Sequence, residues 1–234
     1  MSAAPNVSPV ARWRVPPPSH HGYRVVPLRQ GSRRYFYCAV RPEGDWKDWP
    51  NSPAEPKPGL RLVDATDPAH PTTTNLGGLP LFEAVCGNAG FALRKQEVDL
   101  YDLSDPAAPK RVSSLAAAAA VKAMAAVPGR LLLGTEDGQA QVVDVADPAH
   151  PRAVGTVRLE GLASVADLAC GEGGLLYVIG PSASAAAEGL LVVLDCANPP
   201  AIQTAGRLAI PSRGLEKVTV ADGRAYVTDG NYGF

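Results

Sequence analysis

Short runs of branched apolar residues recur along the chain and alternate with segments rich in Gly, Pro and Asp. The clearest run is Leu190–Leu194, which is apolar at every position. A continuous apolar run of this length predicts a strand that is covered on both faces, as in sheets stacked on sheets. Many such runs joined by short turns predict an all-β fold.

Each of four apolar runs ends in the same polar phrase, Asp-x-x-Asp-Pro-x-x-Pro. At intervals of 38, 42 and 51 residues, the phrase begins at Asp64, Asp102, Asp144 and Asp195. In the last copy Asn198 replaces the second Asp, and Ile202 stands where the second Pro is expected. A period near forty residues predicts a β-propeller with one blade of four strands per repeat.

Alignment of the copies predicts an N-terminal segment, 1–19, followed by β-propeller repeats, 20–234. The blades are expected at about 22–75, 79–115, 116–157 and 158–208, with a partial fifth blade at 209–234. The predicted strands, in chain order, are 23–28, 35–40, 60–63, 81–86, 91–94, 98–101, 111–115, 121–126, 131–134, 140–143, 153–157, 165–170, 175–179, 190–194, 201–208, 217–220 and 224–228.

The alanine-rich segment 115–127 gives conflicting signals. Its intrinsic propensity favours a helix. The repeat alignment instead matches Val121 with Val165 and Ala126 with Cys170, which predicts a strand in its second half. We follow the repeat, because tertiary context routinely overrides a weak local propensity.

The repeated phrase is explained by turn chemistry. An Asp side chain accepts hydrogen bonds from backbone N–H groups two residues on, and Pro stops the preceding strand. The alternative is that the Asp pairs bind calcium, which needs six to eight converging oxygens. His70 and His150 occupy one slot of the phrase, but Ala108 fills it in the second copy. The structural interpretation is therefore favoured over a metal site.

Composition narrows the function classes. Hydrophobic residues make up 46% of the chain and the formal net charge is −1, which indicates a globular protein without an electrostatic preference for nucleic acid. No stretch has the length of a transmembrane segment, and residues 1–18 lack the apolar run of a signal peptide. The four cysteines have no close spacing that would indicate a disulfide framework or a zinc site.

Three segments resemble the LVIVD-repeat family of β-propellers. They are Leu62-Val63-Asp64, the run 142–151 (Val-Val-Asp-Val-Ala-Asp-Pro-Ala-His-Pro) and Tyr226-Val227-Thr228-Asp229. The resemblance covers about residues 22–234. It implies a propeller fold and an exported or surface-associated protein of the bacterial and archaeal type, and it supplies no catalytic residues.

The last repeat stops at Phe234, before a fifth Asp-Pro phrase appears. Ala11, Trp13 and Val15 alternate with arginines, which predicts a closing strand at 11–15. One strand would still be missing, so we expect the front portion of a longer, incomplete propeller. A natural stop codon directly after Phe234 would contradict this expectation.

The sequence offers two candidate sites. Glu83, Asp167 and Glu216 align with one another near the first strand of their repeats, and first strands line the channel of a propeller. The three carboxylates could therefore form a cation site, with calcium as the candidate ion, or they could be solvated charges. Trp46 and Trp49, in the long loop 42–59, could form an interaction surface or could pack onto the blade.

The sequence thus favours a non-catalytic β-propeller scaffold that binds a protein or cell-surface partner. The alternative is a metal-dependent propeller hydrolase or lyase with its site at the central channel. We predict no catalytic residues, because no nucleophile elbow, phosphate loop or histidine pair at metal spacing occurs in the chain.

Overall fold

A computed structural model describes residues 25–40, 59–94, 96–184, 188–197, 202–212 and 214–230. The regular elements of these residues are β-strands, apart from a 3₁₀ turn at Glu172–Gly174. Contacts divide the chain into two compact units. Unit 1 comprises 1–82 and 103–109, and unit 2 comprises 83–102 and 110–234.

Unit 1 contains the first sheet, in which four antiparallel strands pair in sequence order. Tyr37 lies at its core, almost fully buried, and meets Phe82 edge to face at 4.9 Å between ring centroids. The Tyr37 hydroxyl donates to the carbonyl of Pro106 at 3.0 Å. The strands are β1 (Val25–Gln30), β2 (Arg33–Val40), β3 (Gly59–Asp64) and β4 (Thr72–Asn75).

Unit 2 contains three further four-stranded sheets and one hairpin, again with strands paired in sequence order. The second sheet is β5 (Ala84–Cys86), β6 (Ala89–Arg94), β7 (Glu97–Asp102) and β8 (Lys110–Ala116). The third is β9 (Val121–Val127), β10 (Arg130–Thr135), β11 (Gln139–Asp144) and β12 (Arg152–Arg158). The fourth is β13 (Asp167–Cys170), β14 (Leu175–Pro181), β15 (Gly189–Asp195) and β16 (Gln203–Ile210). The hairpin is β17 (Leu215–Ala221) and β18 (Arg224–Asp229).

Within unit 2 the first strands β5, β9, β13 and β17 contact one another in succession. Apolar clusters fill the space between consecutive sheets, for example where Leu132 and Val142 of the third sheet meet Leu168 and Val178 of the fourth. Sheets that stack in this way through their first strands are propeller blades. The predicted fold class, all-β with propeller blades of four antiparallel strands, is confirmed.

The central strands of these sheets are buried on both faces. Four successive residues of β7 are buried, and β10 is buried from Leu131 to Thr135. Fully burying one Leu side chain stabilises a fold by roughly 1.5–3 kcal/mol, so these continuous runs dominate the cores. The outer strands β8, β12 and β16 are largely exposed.

The alanine-rich segment forms strand β9, as the repeat predicts, and not a helix. Ala123 and Met124 are almost fully buried between sheets. Small side chains suit a strand that lies against two neighbouring first strands, β5 and β13. Burial in this position overrides the helical propensity of alanine.

Strand β14 and the segment before β13 approach each other closely. Backbone N–H groups of Ala163 and Ala166 donate to the carbonyls of Pro181 and Ile179 at 2.9 and 2.8 Å. Between them, a Cβ on Gly180 would lie 2.1 Å from the carbonyl oxygen of Ser164. Only glycine fits there, because real Cβ atoms do not approach an oxygen so closely.

The predicted closing strand 11–15, Trp46 and Trp49 lie outside the described residues. Within the described ranges, no helix has the length and apolar character needed to cross a membrane.

Candidate functional site

The Asp-Pro phrases form turns that their own carboxylates close. The first Asp of a phrase accepts the backbone N–H two residues on, as in Asp144 with Ala146 at 3.0 Å. The second Asp does the same, as in Asp147 with Ala149 at 3.0 Å. The same bonds recur at Asp64, Asp67, Asp105 and Asp195. The predicted turn chemistry is confirmed, and these carboxylates have a structural role.

The two histidines in the turns pair with the second Asp. Nδ1 of His150 lies 2.8 Å from Oδ2 of Asp147, and Nδ1 of His70 lies 2.9 Å from Oδ2 of Asp67. Hydrogen bonds from His150 and from the backbone N–H of Ala149 lower the pKa of Asp147 below its ordinary value. Asp147 is therefore ionised at neutral pH.

A side chain of the second sheet holds the third turn in place. Oγ of Ser113, on β8, donates to the carbonyl of Pro148 at 2.6 Å. This bond joins an outer strand to the turn of the following sheet. The turns thus connect neighbouring sheets of unit 2 as well as reversing the chain.

A cleft of about 420 Å³ lies beside this bond, within unit 2. Its walls come from the β5–β6 hairpin, the β9–β10 hairpin, the ends of β7 and β8, and the third Asp-Pro turn. The lining residues are Cys86, Gly87, Asn88, Ala89, Asp102, Val112, Pro128, Gly129 and 145–149. The volume falls within the range that small ligands or single side chains of a partner occupy.

A β-bulge turns Val112 into the cleft. Leu100 pairs with Ser113 and Tyr101 pairs with Arg111, so Val112 has no opposite residue in the ladder. The Val112 side chain stays 41% exposed. Bulges of this kind re-aim a side chain and are frequent next to functional sites.

The bulged residue at the corresponding position of the third sheet is partly buried. There Val142 pairs with Gly155 and Val143 with Ala153, which leaves Val154 as the bulged residue. Val154 packs with Cys196 and Ile202 against the core between the third and fourth sheets. The open cleft at Val112 is therefore a local feature and not a general consequence of the repeat.

The charged side chains that line the cleft are acidic. Asp102 and Asp147 line it from opposite sheets, and among the described residues no Lys, Arg or His lines it. The nearby Arg130 forms an ion pair with Asp144 at 2.9 Å. Burial raises the pKa of the Cys86 thiol, so this sulfur is a protonated, weak nucleophile at neutral pH.

Asp167, one of the three predicted cation ligands, is occupied by protein groups. Its side chain is buried, accepts the backbone N–H of Val218 at 3.0 Å and lies 3.2 Å from Nζ of Lys217. These bonds connect the first strand of the fourth sheet with β17 of the hairpin. They give Asp167 a structural role between two neighbouring strands.

The strand register places Glu83 and Glu216 at other positions than Asp167. Asp102 and Asp195 begin equivalent Asp-Pro phrases, and their ladder partners are Ala89 and Leu175. When the second and fourth sheets are aligned on these pairs, Glu83 is equivalent to Leu168 and not to Asp167. In the hairpin, Glu216 lies at the irregularity of β17 between Leu215 and Lys217 and has no opposite residue in the ladder. Glu83 and Asp167 therefore occupy different register positions, and the row of three carboxylates stays a prediction from the sequence.

Within the described residues, no group of three or more His, Cys, Asp or Glu side chains is arranged to hold a metal ion. The cysteines of unit 2 also show no sign of activation. Burial raises the pKa of Cys170 to about 12 and that of Cys196 to about 11. The calcium site stays a prediction from the sequence.

Calcium should leave the melting temperature of the protein unchanged at millimolar concentration, because Lys217 and Val218 already satisfy the Asp167 carboxylate. Differential scanning calorimetry with and without calcium measures this. A rise in melting temperature that the Asp167→Asn variant does not show would instead support the predicted cation site, since a bound ion stabilises the folded state.

Comparison with known proteins identifies the fold. No family model matches the chain, and no curated protein matches it in sequence. A protein from Lactobacillus plantarum superposes with a TM-score of 0.55 at 13% identity, over 77% of this chain and 57% of that one. This likeness concerns the fold alone.

Two further solved structures are less similar. The glutaminyl cyclase of Myxococcus xanthus gives a TM-score of 0.47 at 14% identity, over 88% of this chain and 84% of its own. The apo form of AztD from Citrobacter koseri gives 0.48 at 15% identity, over 81% of this chain and 47% of its own. The solved neighbours are β-propeller-like proteins.

Proposed function

We propose that the protein is a non-catalytic interaction scaffold of the LVIVD-repeat type, which binds a protein partner at the cleft beside the third Asp-Pro turn. The observation that carries the proposal is the bulge that turns Val112 into this cleft, whereas the matching Val154 is partly buried against the core. An apolar side chain kept at a concave surface is typical of an interaction site.

The roles of the ionisable groups support a scaffold. The repeated Asp residues close turns, Asp167 joins two strands, and the thiol that lines the cleft has a raised pKa. The carboxylates therefore stabilise the fold, and the thiol is protonated at neutral pH. The resemblance to exported, surface-associated propellers suggests a partner at the cell surface.

The metal-dependent hydrolase or lyase stays the alternative proposal. It requires carboxylates or histidines that converge at one mouth of the channel. The register that separates Glu83, Asp167 and Glu216 speaks against it.

Filling the cleft tests the scaffold function. The immobilised chain and its Ala149→Trp variant are exposed to surface proteins of the source organism, and captured proteins are identified by mass spectrometry. We expect a partner that binds the unmodified chain and is lost from the variant, because Ala149 lines the cleft and a Trp side chain there occupies it.

Ala69→Trp is the matched control. Ala69 occupies the equivalent position in the first Asp-Pro turn and is also exposed. Its backbone N–H donates to Asp67, as that of Ala149 donates to Asp147. This variant should retain the partner. Equal capture by both variants, or no specific capture by the unmodified chain, would contradict the proposed function.

A further inference from the structure

The cleft combines apolar walls with acidic rims. Val112 and Val145 supply branched apolar surface, and Pro148 and Ala149 continue it along the turn. Asp102 and Asp147 supply the carboxylates, and they enter from two different sheets. A ligand that satisfies both features has an aliphatic body and a cationic end.

We infer that this cleft receives a lysine or arginine side chain of the partner protein, an inference that rests on the proposed scaffold function. The long aliphatic stems of these residues cover apolar surface while their charged ends stay near water. Such a side chain would lay its stem against Val112 and place its cation between Asp102 and Asp147. An acidic side chain would meet two like charges there and be repelled.

The charges around the cleft fit this occupant. Near the cleft, the basic Arg130 is already tied to Asp144 at 2.9 Å, and His150 pairs with one oxygen of Asp147 at 2.8 Å. On the β8 side, Arg111 pairs with the buried Asp99 at 2.7 Å. Asp147 also stays ionised, because its hydrogen bonds lower its pKa. Electrostatic complementarity of this kind favours basic partners and suppresses acidic ones.

Blocked five-residue glycine peptides with a central Arg, Lys, Gln or Glu test the inference. Amide shifts of the full chain are followed by NMR during titration. The Arg and Lys peptides should shift the signals of Gly129, Ala146 and Ala149, and the Gln and Glu peptides should bind at least about fivefold more weakly, as expected for loss of two exposed ion pairs.

Charge variants locate the effect. Asp147→Asn keeps an oxygen for the Ala149 N–H and should weaken the Arg peptide about two- to fivefold. His150→Ala frees the same carboxylate from its pairing and should leave binding equal or stronger. Asp222→Asn is the matched control, because Asp222 lies in the β17–β18 turn outside the cleft and Asn also tolerates its positive φ of 49°.

The outcomes separate this inference from the scaffold function. Equal binding of the Gln and Arg peptides, shifts away from the cleft, or no effect of Asp147→Asn would overturn the basic occupant. Capture of a partner through the cleft would then still stand. Conversely, selective binding of Arg peptides without any captured partner would support the cleft chemistry and contradict the scaffold.

Discussion

The Gly180→Ala variant is expected to lose about 3 kcal/mol or more of unfolding free energy. The added methyl group would lie 2.1 Å from the carbonyl oxygen of Ser164. One hydrogen bond on each side of Ser164, from Ala163 and from Ala166, holds that backbone against β14. Overpacking typically costs about 1–3 kcal/mol, and more where backbone must move. Urea denaturation monitored by circular dichroism measures the change.

Gly155→Ala, on β12, is the control for this prediction. A Cβ at Gly155 meets no atom within 4 Å, so the substitution should be neutral or stabilise the strand by up to about 1 kcal/mol. A loss below about 1 kcal/mol for Gly180→Ala would show that the segment before β13 moves freely, and would contradict the packing described for the fourth sheet.

The second large effect is expected at the buried carboxylate of Asp99. Asp99 is 4% exposed, and it lies 3.3 Å from Nε of Arg94 and 2.7 Å from Nη2 of Arg111. Replacing both arginines by Ala would leave this charge buried without a counter-ion. Breaking a buried pair in this way costs about 3–5 kcal/mol, which thermal and urea unfolding would detect.

A third substitution makes the test specific. Adding Asp99→Val to the double variant removes the buried carboxylate that has lost its counter-ions. This change should restore most of the lost unfolding free energy, because apolar residues replace buried ion pairs at little cost. Removing two exposed arginines of β12, Arg152 and Arg158, should cost less than about 1 kcal/mol. If the double and triple variants were equally unstable, the arginines would act through packing and not through the charge of Asp99.

Sequence reasoning predicted the fold well, because the repeat carries more information than any local propensity. The run 121–126 lies inside the observed strand β9, and the predicted strand 131–134 lies inside β10. Two first strands were predicted too long, 81–86 against Ala84–Cys86 and 165–170 against Asp167–Cys170, because the residues before them are apolar for a different reason. Phe82 is buried in the core of unit 1.

An alignment without gaps could not give the relative positions of Glu83 and Asp167, because the turns that follow them differ in length. The β5–β6 hairpin turns over Gly87 and Asn88, whereas the β13–β14 connection uses the longer 3₁₀ turn Glu172–Gly174. An alignment that matches Cys86 with Cys170 therefore places Glu83 one position away from the residue that the strand register matches with it. Turn length decides the register, and a shift of one residue changes the face of every side chain.

The cleft had no sequence signal of its own. It depends on the extra residue Val112 in one outer strand, and the next sheet carries an equivalent bulge at Val154 that the core covers. The two bulges differ in the Asp-Pro turn that follows them. After Val154, the fourth turn ends in Ile202, which packs against the core, whereas after Val112 the third turn ends in Pro151. Only the packed structure separates the two cases.

The bonds between neighbouring sheets have a consequence for how unit 2 unfolds. Each sheet pairs strands that are adjacent in sequence, so it can form from local contacts alone. The Ser113 bond to Pro148 and the Asp167 bond to Val218 then couple one sheet to the next. A chain of units coupled only to their neighbours behaves as a one-dimensional cooperative array, in which weakening a single coupling allows the array to melt in two stages.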